Sequence, residues 1–172
     1  MLQSAEDHLR SSGALSLDTA ARAAGVTKAG LMYHFGTKED LMAAVVDRVM
    51  DRYEAALTAA LPDGCDLASA SVNERLAAYV TWACSNEFDV TDLVMFADPR
   101  LRQPLTQRWI ERLEPWLEVP ADIPAGEQSR LLAARLMADG AWFAGACGSV
   151  PLTESQKAGV RRVALELLEV DR

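Results

Sequence analysis

The chain has 172 residues, of which 50% are hydrophobic and 24% charged, which predicts one globular unit or two subdomains that share a core and argues against intrinsic disorder. Its net charge of −8 argues at first against a protein that binds nucleic acid. However, the first 52 residues hold six basic and seven acidic side chains and so carry only −1. The sequence shows no leader pattern, no apolar run of about 18 residues and no paired cysteines, so we expect a cytoplasmic protein with reduced thiols and no membrane span.

The periodicity of the sequence is that of an all-α protein. Ala and Leu dominate, Gly and Pro fall between the periodic segments, and alternating β-branched runs are absent. We predict about nine helices, over residues 2–11, 17–24, 28–35, 38–61, 72–87, 91–97, 102–117, 127–148 and 153–169, with a loop over 119–126.

Three short helices with polar starts lie near the beginning of the chain. Ser16 and Thr27 can cap the second and third helices, and small side chains on the second allow a close helix crossing. Gly25 permits the left-handed backbone that a tight turn requires. This spacing predicts a helix-turn-helix in which Val26 and Leu31 are buried and the third helix presents its other side chains outward.

The fourth predicted helix is long and amphipathic. Thr37 and Asp40 have capping-box spacing at its start. Arg48 and Arg52 have acidic neighbours within one helical turn, and we expect them to be surface charges or to pair with these neighbours. The apolar stripe predicted to be buried comprises Leu41, Met42, Val45, Val46, Val49, Met50 and Tyr53.

The segment Leu17–Leu41, LDTAARAAGVTKAGLMYHFGTKEDL, resembles the TetR family of transcriptional regulators. It has the family's small-residue helix, Gly-Val turn, Thr cap, lysine and aromatic-rich end, followed by a Thr-Lys-Glu run that opens the next helix. The resemblance implies a repressor of transcription with a three-helix helix-turn-helix DNA-binding domain over residues 1–50. Residues 51–172 are then a helical bundle for ligand binding and dimerisation.

A recognition helix of this kind enters the major groove with its first residues near the base edges. Lys28 at that end can donate to guanine, and the resemblance implies a contact of Lys38 with phosphate. The family commonly has Tyr where this chain has Met32, and that Tyr commonly touches phosphate. The residues predicted to contact double-stranded DNA are Thr27, Lys28, Ala29, Gly30, Tyr33, His34 and Lys38.

Large apolar side chains are frequent after residue 51, where the resemblance implies a ligand cavity. The candidate lining residues are Trp82, Met95, Phe96, Trp109 and Trp142. Each of them could equally be a packing residue of an ordinary helical core. By resemblance, an unidentified apolar or amphipathic small molecule binds there, moves the fourth helix and releases the repressor from its operator.

Small residues recur along the eighth predicted helix, and an apolar stripe runs along the ninth. Two such helices from each of two copies could form a four-helix interface. The resemblance implies this homodimer, which would read the two half-sites of a palindromic operator. The predicted interface lies around Ala133, Ala141, Val160, Val163 and Leu167, although both stripes could also pack within one chain.

No enzymatic constellation is found in the sequence. The two histidines, His8 and His34, have no Cys or carboxylate at metal-ligand spacing, and phosphate-binding loops and nucleophile motifs are absent. We therefore expect no catalytic residues, no metal and no other cofactor. Two other interpretations stay open: a helical module that binds or carries a small molecule and whose N-terminal helices are structural only, and an enzyme built on the bundle.

Overall fold

The computed structural model describes residues 1–169, and the regular secondary structure over that range is all helical, which confirms the predicted fold class. Each predicted helix has a counterpart whose bounds differ from the prediction by at most two residues. None of the described helices combines the length and the hydropathy of a membrane-spanning segment. The α-helices are α1 (Leu2–Ser12), α2 (Leu17–Ala23), α3 (Lys28–His34), α4 (Lys38–Ala59), α5 (Val72–Ser85), α6 (Arg102–Leu117), α7 (Ala125–Cys147) and α8 (Glu154–Leu168), and a 3₁₀ helix spans Val90–Phe96.

Side-chain caps begin several helices at the positions that the sequence predicts. The Ser16 hydroxyl accepts the third backbone N–H of α2, and the Thr27 hydroxyl accepts that of α3. At α8 the Thr153 hydroxyl and the Gln156 side chain form a reciprocal capping box. α1 ends at Gly13, whose φ of +69° is the left-handed conformation of a helix C-cap.

The sixth predicted helix is present as a 3₁₀ helix over Val90–Phe96, with non-helical backbone at Leu93, and one local expectation is wrong. The Asp89 carboxylate caps its start by accepting the N–H of Thr91 at 2.8 Å. Val26 is exposed rather than buried, since it lies in the turn directly after α2 and not on a helix face.

The described residues form two compact units, and two of the three boundaries between them fall inside helices. Unit 1 comprises Met1–Arg52 and Asp89–Arg112, and unit 2 comprises Tyr53–Phe88 and the chain from Leu113 onward. Both α4 and α6 therefore contribute residues to both units. The predicted division into a DNA-binding domain, 1–50, and a domain for ligand binding and dimerisation, 51–172, stays a prediction. The last three residues of the second domain, 170–172, lie outside the described range.

Unit 1 is held together by an apolar core and by long-range ion pairs. The buried carboxylate of Glu6 in α1 forms an ion pair with Arg48, whose Nε lies 2.9 Å from Oε1, and accepts a hydrogen bond from Arg52 at 2.8 Å, so that two arginines of α4 converge on one carboxylate. Arg10 donates to Asp89 at 2.6 Å, which ties α1 to the start of the 3₁₀ helix. The apolar core of the unit includes Leu9, Leu15, Leu31, Leu41, Val45, Val49, Val94 and Leu105.

Unit 2 is built on α5, α7 and α8, each of which packs against the other two. The Asn73 amide donates to the carbonyl of Leu168 at 2.7 Å, which joins the start of α5 to the end of α8. An aromatic cluster is centred on Trp82 of α5. Its ring centroid is 4.4 Å from Tyr53, 5.0 Å from Phe88 and 5.3 Å from Tyr79.

Candidate nucleic-acid interface

The crossing of α2 and α3 has the geometry that the sequence predicts for a helix-turn-helix. Ala20 and Ala21 of α2 are buried, and α2 and α3 are in contact. The turn contains Gly25 with φ of +68°, a conformation that L side chains rarely adopt. Leu31 is the buried residue of α3, and it fixes which side of this short helix faces the core.

The remaining face of α3 is open to solvent. Lys28, Ala29 and Gly30 are exposed at its beginning, and Tyr33 and His34 are exposed at its end. Tyr33 is 87% exposed, and its ring meets that of His34 edge to face with centroids 5.3 Å apart. The structure therefore brings these five predicted DNA contacts onto one accessible helix.

The hydroxyl of Thr27 serves as the cap of α3, where it accepts the N–H of Gly30 at 3.0 Å. A Cβ atom at position 30 would lie 3.2 Å from that hydroxyl oxygen, so a glycine leaves the cap undisturbed. The first turn of α3 is thus capped by Thr27 and carries no side chain at position 30. This suits an approach of the helix start to base edges or phosphate.

Both predicted DNA-contacting lysines are paired with aspartates of unit 1. Lys28 donates to Asp18 at 2.9 Å, and Lys38, at the start of α4, donates to Asp98. The bond from Lys38 lowers the pKa of Asp98 below its usual value. Sequence reasoning missed both aspartates, because they lie 10 and 60 residues from their lysines and no local pattern connects them.

Two family models match the chain. Residues 10–45 match the model described as bacterial regulatory proteins of the tetR family, and residues 73–169 match the model described as tetracyclin repressor-like, C-terminal domain. The second match spans 97 residues, more than half of the chain. The chain belongs to the TetR family. No curated protein matches this TetR-family chain.

This TetR-family protein is a DNA-binding transcriptional regulator, and the family resemblance of the segment Leu17–Leu41 is confirmed. Both matched models describe regulators rather than enzymes. The N-terminal match includes all seven residues predicted to contact DNA, from Thr27 to Lys38. The contact that each of them makes stays a prediction.

The five predicted ligand-lining residues of the TetR-family chain fall into both compact units. Met95, Phe96 and Trp109 belong to unit 1, where Met95 and Trp109 are buried and Phe96 is exposed beneath the guanidinium of Arg102. Trp82 and Trp142 belong to unit 2, and both of them approach Tyr53. A role of any of the five in ligand binding stays a prediction.

Unit 2 also contains a cavity of about 660 Å³ that sequence reasoning missed. None of the five aromatic or methionine candidates lines it. Its walls come from α5, the end of α6, the loop that follows and the start of α7, so no single segment of the sequence marks it. The lining residues are Leu76, Leu117, Val119, Ala121, Ala125, Gln128, Ser129, Leu131, Leu132 and Arg135.

Proposed function

We propose that this TetR-family regulator is a homodimeric repressor that binds a palindromic operator and leaves it when a small apolar or amphipathic effector binds. The observation that carries the proposal is the exposed face of α3, on which Tyr33 is held out to solvent while Leu31 anchors the opposite side. A helix presented in this way fits the width of the major groove. We assign Lys28 to base edges, Lys38 to phosphate, and Tyr33 and His34 to either.

Exposed apolar side chains on two packed helices support the homodimer. On α7 the side chains of Leu132, Leu136 and Phe143 are 53%, 59% and 48% exposed, and their spacing of four and seven residues places them on one face. On α8, Val163 is 40% exposed. Large apolar side chains grouped in this way are typical of a surface that a partner covers.

The cavity of unit 2 supports a small-molecule effector. A volume of about 660 Å³ lies within the range of ligand pockets, which are mostly apolar with a few polar groups. Leu76, Leu117 and Leu131 form apolar walls, and Gln128 and Arg135 add polar groups at the lining. This combination favours an amphipathic molecule over a purely charged one.

Release from DNA follows from a shift between two arrangements of the dimer. α4 and α6 each contribute residues to both units. An effector that binds unit 2 more tightly in one arrangement of these two helices therefore also favours one arrangement of their residues in unit 1. Repression requires the arrangement in which two recognition helices match the spacing of two half-sites. Since bacterial DNA lies in the cytoplasm, we place the protein there.

The test is a titration of labelled duplexes from the protein's own upstream DNA over a range of salt concentrations. Wild type should bind one palindromic duplex selectively, with an affinity that falls steeply with salt. Lys38→Ala should weaken binding to every duplex alike and flatten the salt slope by about one unit for each phosphate that is no longer neutralised. Lys157→Ala on α8 removes the same charge elsewhere and should change neither.

Absence of binding to any duplex, even at low salt, would contradict the proposal. The chain would then fit the alternative of a helical module that binds a small molecule and whose N-terminal helices are structural only. Binding that Lys38→Ala leaves unchanged would contradict the assignment of Lys38 alone.

A further inference from the structure

We propose that Asp98 competes with DNA phosphate for Lys38 and thereby sets how tightly this regulator binds DNA. The proposal rests on the proposed function, since it takes Lys38 to be a phosphate contact. Asp98 lies outside α3 and α4, and it is not among the residues predicted to contact DNA.

The position of Asp98 is fixed by the backbone around it. It lies in the turn between the 3₁₀ helix and α6, where its Oδ1 accepts the N–H of Arg100 at 2.9 Å. Its Oδ2 accepts from the ammonium of Lys38, and its side chain is only 17% exposed. The carboxylate is therefore held in place, whereas the Lys38 ammonium stands at the end of a flexible stem.

Pairing with Asp98 and binding to phosphate place conflicting demands on Lys38. Simultaneous contact would bring a carboxylate and a phosphate to within a few ångströms of each other around one ammonium, and two like charges at that distance repel. Because the Lys38 bond lowers the pKa of Asp98, the carboxylate is charged at neutral pH. This repulsion weakens the attraction of a paired Lys38 for phosphate, so Lys38 binds a phosphate most strongly once it has left Asp98.

The second lysine–aspartate pair differs in its surroundings. Lys28 and Asp18 are both exposed, and exposed ion pairs contribute little because water and salt screen them. Asp98 is less exposed than Asp18 and receives a backbone N–H as well. We therefore expect competition for Lys38 to be stronger than competition for Lys28.

The exchange has a signature in the salt dependence of binding. A lysine that neutralises a phosphate releases a condensed cation from the DNA, which makes binding weaken as salt rises. The Lys38–Asp98 pair is itself screened by salt, so the cost of breaking it is greatest at low salt and shrinks as salt rises. Without the Asp98 charge this cost disappears, so the gain in affinity is larger at low salt than at high salt.

The decisive variant is Asp98→Asn, which removes the charge but keeps an oxygen that can accept the N–H of Arg100. It should tighten operator binding by between about twofold and tenfold at low salt. It should also steepen the salt slope, by less than the one unit that a whole phosphate contact contributes. Asp98→Ser, which can also accept that N–H, serves as a second variant if Asn disturbs the fold.

Two controls isolate the pair. Asp63→Asn makes the same change of net charge at an exposed site of unit 2 and should leave affinity and slope as in wild type. In a Lys38→Ala background, Asp98→Asn should have no effect on either quantity, because the group for which Asp98 competes is gone.

The outcomes separate this inference from the proposed function. If Lys38→Ala weakens binding while Asp98→Asn leaves it unchanged or weakens it too, Asp98 positions Lys38 or is neutral, and competition is overturned while DNA binding stands. If Asp98→Asn tightens binding equally in the Lys38→Ala background, Asp98 repels DNA directly, and the inference also fails. If Lys38→Ala has no effect, the phosphate role of Lys38 fails, and the competition fails with it.

Discussion

The indole N–H of Trp142 on α7 donates to the hydroxyl of Tyr53 on α4 at 2.9 Å, within unit 2. Tyr53 is buried, so this hydrogen bond lies in the interior beside the aromatic cluster. Trp142, one of the predicted ligand-lining residues, thus also joins α7 to α4 through a hydrogen bond.

Removal of this hydrogen bond should destabilise unit 2. We expect Trp142→Phe and Tyr53→Phe each to lower the free energy of unfolding, with a coupling of about 1 kcal/mol between the two changes. Urea denaturation of wild type, both single variants and the double variant measures this coupling. Additive single effects would show that the bond contributes nothing.

The carboxylate of Glu6 should matter more for stability than its place on a terminal helix implies. Glu6→Gln leaves Arg48 and Arg52 facing each other across a neutral, buried amide, and we expect a decrease of about 2 kcal/mol in the free energy of unfolding. Asp7→Asn, at an exposed neighbour on the same helix, should change it by less than about 0.5 kcal/mol. Equal effects of the two variants in denaturant unfolding would refute a special role for the buried group.

Tyr79 should make the protein sensitive to alkaline pH. Its hydroxyl donates to Asp139 at 2.6 Å, and burial together with that carboxylate raises the pKa of Tyr79 well above its usual value. Above about pH 10 the unfolded chain loses a proton that the folded chain keeps, so the free energy of unfolding falls as pH rises. Denaturation curves between about pH 8 and pH 11 should show a steeper fall for wild type than for Tyr79→Phe. Parallel pH profiles would contradict this account.

The exposed apolar face of α7 and α8 should determine the oligomeric state. Leu136→Glu combined with Val163→Glu places two charges on that face without altering the buried core, and we expect monomers in analytical ultracentrifugation. Ile110→Glu, at another exposed apolar side chain on α6, is the matched control and should remain dimeric. A dimer that survives the double change would move the interface to another surface.

Local structure could be predicted from the sequence wherever its cause lies within a few residues. The Thr153 capping box, the Gly25 turn and the cap at Thr27 all depend on a side chain and a backbone group no more than four residues apart. The amphipathic stripe of α4 was equally predictable, because its period places every member on one face. The exposed face of α3 follows from the same logic once Leu31 is buried.

Partners that lie far apart in the chain could not be predicted in this way. Arg48 and Arg52 have acidic neighbours on their own helix, yet the fold brings both to Glu6, some 46 residues away from Arg52. Asp98 reaches Lys38 across 60 residues, and the cavity of unit 2 collects its walls from three helices and a loop. The physical reason is that helix periodicity and capping act over one or two turns, whereas ion pairs and cavities form where separate helices meet after packing. The helices and the family are therefore readable along the chain, and packing alone decides which carboxylates pair with Lys28 and Lys38.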